Sequence, residues 1–337
     1  MISSFRFPSF DCSITLGFLA VFLFTTPLAA KWKYFRTGND ADSPAEPHAG
    51  IALMGGGSKQ GPAFKFLCER ANGGDFLILR ADTEDDYAQK VNEEVKKVCP
   101  LNSVGTIVFS NREDSDDPKV AQIINQAESI FIAGGDQSNY VRFWQDTPIQ
   151  DALNHHITAG KPIGGSSAGL AVLGEFSFAS IIDTIHSREA LADPYGNKVT
   201  ISRDFLKIPL LADTITDTHF VKRDRLGRLL VFMARILQDG WADHIRAIAV
   251  EEDAAILVES DGVGKIVGGP AYFLEAATHP DACRRKTPLQ FKDIQAHKAL
   301  PGQSFDFKSW NTKEGENYQL FVADGNVQAV GSSHGIY

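Results

Sequence analysis

The sequence predicts an α/β fold: a doubly wound, mostly parallel sheet flanked by helices, with a small β-rich C-terminal appendage. Three observations lead there. Short apolar runs at residues 51–54, 76–79, 106–109, 130–133 and 162–165 alternate with stretches of helical length, which is the cadence of a parallel sheet covered on both faces. The intervening segments 87–99 and 119–127 carry their charges on one side, as crossover helices do. At 337 residues and 43% hydrophobic composition, the chain is long enough to bury one large core and a small additional unit.

In chain order, residues 12–30 hold no charge after Asp11 and run through Ile14, Leu16, Phe18, Leu19, Val21, Phe22, Leu23 and Phe24 to Pro27-Leu28-Ala29-Ala30. Residues 1–30 therefore read as a secretory signal peptide, with an uncleaved membrane anchor as the alternative. Residues 31–49, polar over 35–48 with Asp, Gly, Ser and Pro, read as a linker, and the folded domain is expected over 50–275. Gly55-Gly56-Gly57-Ser58-Lys59 follows the first strand but fits neither phosphate-loop nor dinucleotide spacing, so a tight turn at the active-site rim is expected. Past Gly240, residues 245–250, 255–259 and 265–267 read as strands joined by turns such as Ser260-Asp261-Gly262. The tail, 276–337, repeats that character at 318–322 and reads as a β-rich extension packed on one sheet edge.

The net charge of −9 argues against a nucleic-acid partner. Beyond the leader, Cys68, Cys99 and Cys283 allow one disulfide and one free thiol. No Cys or His/Glu set has metal-ligand spacing, so neither metal nor cofactor is expected.

Chemistry concentrates in three segments. Gly165-Ser166-Ser167-Ala168-Gly169 leaves an apolar run as a Gly-x-Ser-x-Gly nucleophile elbow, with Ser167 as nucleophile; backbone crowding there requires glycine two residues either side. Thr216-Asp217-Thr218-His219-Phe220 ends another apolar stretch and offers His219 as base at the same sheet rim. Phe131-Ile132-Ala133-Gly134-Gly135-Asp136-Gln137 runs from a strand into glycines whose N–H groups suit a developing oxyanion. Gly135 and Ala168 are the oxyanion candidates.

These segments resemble the serine peptidase family of cyanophycinase and aspartyl dipeptidase, marked by a Gly-Gly-Asp-Gln loop, a Gly-Thr-Ser-Ala-Gly elbow and an Asp-x-His-Phe segment followed by spaced arginines. Here the loop matches in full, the elbow departs by Ser166 for threonine, and Asp217-Thr218-His219-Phe220 leads to Arg223, Arg225 and Arg228. The similarity runs from about Gly50 to Leu274. It implies substrate-binding roles for Gln137, Asp217 and the three arginines, and points to Glu189 as the acid beside His219.

A helix over residues 221–238 would group Leu226, Leu229, Leu230, Met233 and Leu237 into one stripe. Arg225 would then fall on the buried side, where a guanidinium needs an anionic partner. Arg228 lies about 60° from it and Arg223 roughly opposite, so a helix regular from Val221 cannot bring all three to one pocket. For the acid, Glu175, Asp183, Glu189, Asp193 and Asp217 are available, with Asp183 and Asp217 the principal alternatives to Glu189.

The function expected is a secreted or periplasmic serine-type peptidase cleaving aspartyl peptide or isopeptide bonds through an acyl-enzyme, cyanophycinase-like, releasing β-Asp-Arg. Alternatives are an α-aspartyl dipeptidase-like exopeptidase and an inactive secreted binding protein of the same fold. The partner is a peptide or cyanophycin-like substrate. Membrane contact is expected only with an uncleaved leader, and a homodimer is compatible with the reading.

Overall fold

Runs of Ile, Leu, Val and Phe that are buried on both faces form parallel strands, and the amphipathic stretches between them form the covering helices. The computed structural model describes residue 1 and residues 32–58, 61–81 and 86–337, so the leader lies outside the described residues apart from Met1. The first half contains β1 (Lys33–Gly38), β2 (Gly50–Met54), α1 (Gly61–Arg70), β3 (Asp75–Ala81), α2 (Asp86–Lys96), β4 (Ser103–Phe109), α3 (Pro118–Gln126), β5 (Ser129–Ile132), α4 (Gln137–Trp144), α5 (Pro148–Thr158), β6 (Ile163–Ser166) and α6 (Ala168–Ala171). The second half contains β7 (Phe176–Phe178), α7 (Ser187–Ala192), β8 (Ile201–Arg203), β9 (Thr214–Thr218), α8 (Leu226–Gln238), β10 (Ile245–Val250), β11 (Ala255–Glu259), β12 (Val263–Val267), β13 (Ala271–Ala276), β14 (Phe291–Ala299), β15 (Ser304–Asp306), β16 (Glu316–Ala323) and β17 (Asn326–Val330).

Two large sheets result. The nine-stranded sheet runs β1-β4-β3-β5-β6-β2-β11-β12-β15. Its centre, from β4 to β2, is parallel, as the strand-helix cadence predicts, and antiparallel strands border it on both sides. The eight-stranded sheet runs β17-β16-β14-β13-β10-β9-β7-β8, with β10, β9 and β7 mutually parallel. Successive side chains of a strand point to opposite faces, which assigns the layers. Ile248, Val250 and Phe273 of the second sheet share a core with Leu53, Leu79 and Ile132 of the first. Their neighbours Ala247, Ala249, Tyr272 and Leu274 pack instead with Leu229, Phe232 and Met233 of α8. On the far side of the first sheet, Phe64 and Leu67 of α1 and Val91 and Val95 of α2 meet Met54, Phe76 and Phe131.

Three expectations are corrected here. Residues 33–38, taken as part of a linker, form β1, which pairs antiparallel with β4; an edge strand tolerates the polar Arg36 and Thr37 because one side of it faces solvent. The β-rich tail is present, but it does not pack on one sheet edge: β14, β16 and β17 extend the second sheet while β15 extends the first. The helix expected from Val221 starts at Leu226. His219 and Asp224 adopt left-handed φ values of 47°, which a helix cannot accommodate, so residues 219–225 form a turn. Cys68 is paired with Cys99, and Cys283 is a buried free thiol.

Candidate active site

β6 delivers the serine. Directly after Ser166 the backbone turns sharply, placing Ser167 at φ 52°, ψ −116° before α6 begins at Ala168. Such a conformation strains a residue that carries a Cβ, and it persists because the surroundings enforce it. A Cβ on Gly165 would lie 2.4 Å from the Gly169 carbonyl oxygen, and one on Gly169 would lie 2.0 Å from that of Ile132. Both glycines of the pentapeptide are thus steric requirements. The turn lifts Ser167 to a half-buried position above the sheet.

The base arrives from the second sheet, not from the rim of the first as expected. β9 ends at Thr218 and His219 follows, its N–H donating to the Gly55 carbonyl at 2.9 Å, while Ser167 N–H donates to the Met54 carbonyl at 3.1 Å. The loop after β2 therefore ties both residues to one anchor. A Cβ on Gly56, which sits at φ 103°, would lie 2.4 Å from the His219 ring, so this glycine lets the imidazole in, while Cβ atoms on Gly55 and Gly57 would meet the Glu251 carbonyl and the Asp253 carboxylate. The expectation of a tight turn at the rim holds, with this contact as its reason.

Across that junction, Ser167 Oγ is 2.8 Å from His219 Nε2, and His219 Nδ1 is 2.6 Å from Oε1 of Glu252. A carboxylate only accepts, so Nδ1 carries the proton and Nε2 is left to accept from the serine hydroxyl. Burial lowers the pKa of His219 from its ordinary value; the Glu252 hydrogen bond opposes this, and Arg223 and Arg225 act in the same sense as burial. The Glu252 carboxyl is held below its usual range, chiefly by its hydrogen bond with Lys222. A neutral imidazole flanked by an ionised carboxylate can take up a proton.

Glu189 does not reach the His219 ring. It lies in the first turn of α7 with its side chain about half exposed, 3.8 Å from Lys198, which also pairs with Asp183 at 3.0 Å. Glu175 accepts from Asp213 N–H, and Asp193 from the N–H groups of Tyr195 and Lys286. The carboxylate that sequence reasoning missed is Glu252, and the pairing of β10 with β9 accounts for it. β10 runs parallel to β9 with Val250 opposite Thr218, so the acidic run Glu251-Glu252-Asp253 leaves its strand beside the place where His219 leaves β9.

The binding candidates divide. A polar cleft of about 450 Å³ is lined by Gly135, Gln137, Arg142, Asp183, Arg223 and Arg225, among others. Arg225 is half-buried, with Nη1 donating to the Thr218 carbonyl at 2.8 Å and lying 3.4 Å from Asp217 Oδ1; burial lowers its pKa to about 10. Arg223 is exposed at the cleft. Arg228 and Asp217, by contrast, are buried against each other, with Nε to Oδ2 at 2.8 Å and Nη2 to Oδ1 at 2.5 Å. The substrate-binding role expected for that pair is corrected: Arg228 uses its charge on Asp217, and Asp217 is engaged by Arg228 and, at 3.4 Å, by Arg225. Burial, the largest single influence, would raise the Asp217 pKa, but Arg228 together with Arg225 and the Thr218 N–H makes the net shift downward.

The oxyanion candidates lie near the serine. A Cβ on Gly134 would be 3.5 Å from Ser167 Cβ, which brings the Gly134-Gly135 loop against the nucleophile. Ala168 opens α6, where N–H groups have no partner in the helical ladder. Asp136, next in that loop, accepts from Ser138 N–H at 2.9 Å and caps α4, which orients Gln137 as the first residue of that helix.

A family model described as peptidase family S51 matches residues 79–265, a span that includes Ser167, His219 and Glu252. The cyanophycinases of Synechococcus elongatus and Thermosynechococcus vestitus are each 28% identical to the chain over 229 residues, 66% of this chain and 66% of their own length. Among solved structures, a peptidase from an acI-B1 Actinobacterium shares the fold, with a TM-score of 0.51 at 15% identity, covering 77% of this chain and 97% of that one.

Proposed function

Because the chain belongs to peptidase family S51, we propose that it is a serine-type peptidase cleaving aspartyl peptide or isopeptide bonds in the manner of a cyanophycinase. The observation that carries this reading is the continuous relay from Ser167 Oγ through the His219 ring to Glu252. His219 Nε2 takes the hydroxyl proton as Oγ attacks the carbonyl, and Glu252 stabilises the imidazolium that forms. The N–H groups of Gly135 and Ala168 receive the negative oxygen. The imidazolium then protonates the leaving amine, an acyl-enzyme remains on Ser167, and a water activated by the same imidazole releases the acid and regenerates the serine.

The cleft supports an aspartyl substrate. Arg223 and Arg225 offer guanidinium groups to a carboxylate, and Gln137 an amide to a peptide group. The cyanophycinase relatives favour β-Asp-Arg release from a cyanophycin-like polymer. Action outside the cytoplasm is part of the proposal: the apolar leader motivates it, and the Cys68–Cys99 bridge suits an oxidising compartment.

The test is product analysis by mass spectrometry after incubation with cyanophycin and with a panel of α- and β-aspartyl dipeptides. Ser167→Ala should lower turnover by a factor on the order of 10⁴, whereas Ser166→Ala, one residue earlier, should cost far less. Turnover surviving in Ser167→Ala would remove the mechanism.

A further inference from the structure

The N-terminus of α8 lacks an ordinary cap. Its capping position is Arg225, a residue with no acceptor, and no side chain there bonds the first turn. Two distant side chains meet the need: Ser187 Oγ accepts from Arg228 N–H at 3.2 Å and donates to the Asp224 carbonyl, and, from 111 residues away, the Tyr337 phenol oxygen accepts from Leu226 N–H at 3.1 Å while its hydroxyl donates to Asp224 Oδ1 at 2.7 Å. The ring is wedged edge-on against Phe220 and Tyr272, and the main-chain oxygen of Tyr337 accepts from Lys298 Nζ at 3.1 Å. One aromatic residue thus grips both flanks of Arg225 and the first residue after His219. Glu251 clasps the other half of the turn, accepting from the N–H groups of Val221 and Lys222.

We propose that Tyr337 is a positioning residue that holds the 220–226 turn, and with it Arg223 and Arg225, at the substrate cleft, so that the β-rich C-terminal region serves the site without touching substrate. This rests on the peptidase reading of the cleft. His219 has its own anchors, the Gly55 carbonyl and Glu252, so the latch acts on the arginines more than on the relay. Its loss should therefore weaken substrate binding and spare the chemistry.

Tyr337→Phe in the full chain removes both phenol hydrogen bonds and keeps the ring. For an aspartyl substrate, KM should rise about threefold to tenfold, the range a lost hydrogen bond spans. Turnover, and the rate of Ser167 labelling by a fluorophosphonate, should stay within about twofold on the same grounds. Hydrogen exchange of the 220–228 segment should accelerate, a readout that needs no substrate. An unchanged KM overturns the proposal, as does a fall in turnover and labelling at constant KM, which would place Tyr337 behind the relay instead. Unaltered exchange across 220–228 overturns it even if no aspartyl substrate is cleaved, whereas faster exchange without any substrate turnover leaves the latch standing and removes the peptidase reading.

Discussion

Glu252 and Glu189 differ in a way that one pair of substitutions exposes. Glu252→Gln keeps the shape of the side chain but removes the charge that stabilises the imidazolium, and turnover should fall by roughly 10² to 10⁴. Glu189→Gln alters a half-exposed side chain near Lys198 and should turn over normally in the same assay. The pH profile gives a second measure. Burial holds the His219 pKa below its ordinary value of 6.5, so kcat/KM should rise with pH through a midpoint below 6.5 and then level off. Glu252 opposes that shift, so Glu252→Gln should move the acid limb to still lower pH. A limb that moves upward instead would contradict the contact at Nδ1. At this scale the nucleophile and base were legible because steric and chemical demands attach to the residues themselves: only glycine fits at 165 and 169, and a serine needs a base.

The elements that carry these residues depend on one buried ion pair. Arg228 on α8 and Asp217 on β9 face each other in the interior, and Phe178 and Phe232 flank the guanidinium. Removing one partner leaves the other charged and buried, so Asp217→Asn should destabilise the protein by about 3–5 kcal/mol in urea unfolding. Arg223→Ala, at the exposed cleft, should change stability by no more than about 0.5 kcal/mol while raising KM. Equal stability losses in the two variants would mean that the three arginines act as one set. Helical spacing from Val221 divides them differently, setting Arg223 apart from Arg225 and Arg228, whereas the structure sets Arg228 apart from Arg223 and Arg225. The left-handed backbone at His219 and Asp224 breaks that phase, and only afterwards does α8 begin.

Across the whole molecule, the first sheet and its helices are stapled by Cys68 on α1 and Cys99 beyond α2, 31 residues apart. Closing a loop of that length restricts the unfolded chain, and Cys99→Ser should lower unfolding free energy by about 2–4 kcal/mol, measured by denaturant titration. Activity of the folded fraction should be retained, since the bridge lies in the α1/α2 layer while the relay is built from the ends of β6, β9 and β10. The two sheets meet at that relay. Ser167 follows a strand of one, His219 and Glu252 follow strands of the other, and the glycine loop after β2 sits against both.

By itself the sequence determined the strand-helix cadence, the parallel centre of the first sheet, the elbow at Ser167 and the presence of a histidine able to serve it. Those features are written locally, since apolar runs record burial on both faces and glycines record backbone crowding. Tertiary structure decided the rest. Whether Glu189 or Glu252 meets the imidazole depends on the register of β10 against β9, and no local pattern encodes that register. The same holds for Arg228, whose charge is used by Asp217, and for Tyr337, which caps a helix that begins 111 residues before it: each is a contact between distant segments, and only the packing of two sheets brings them within reach.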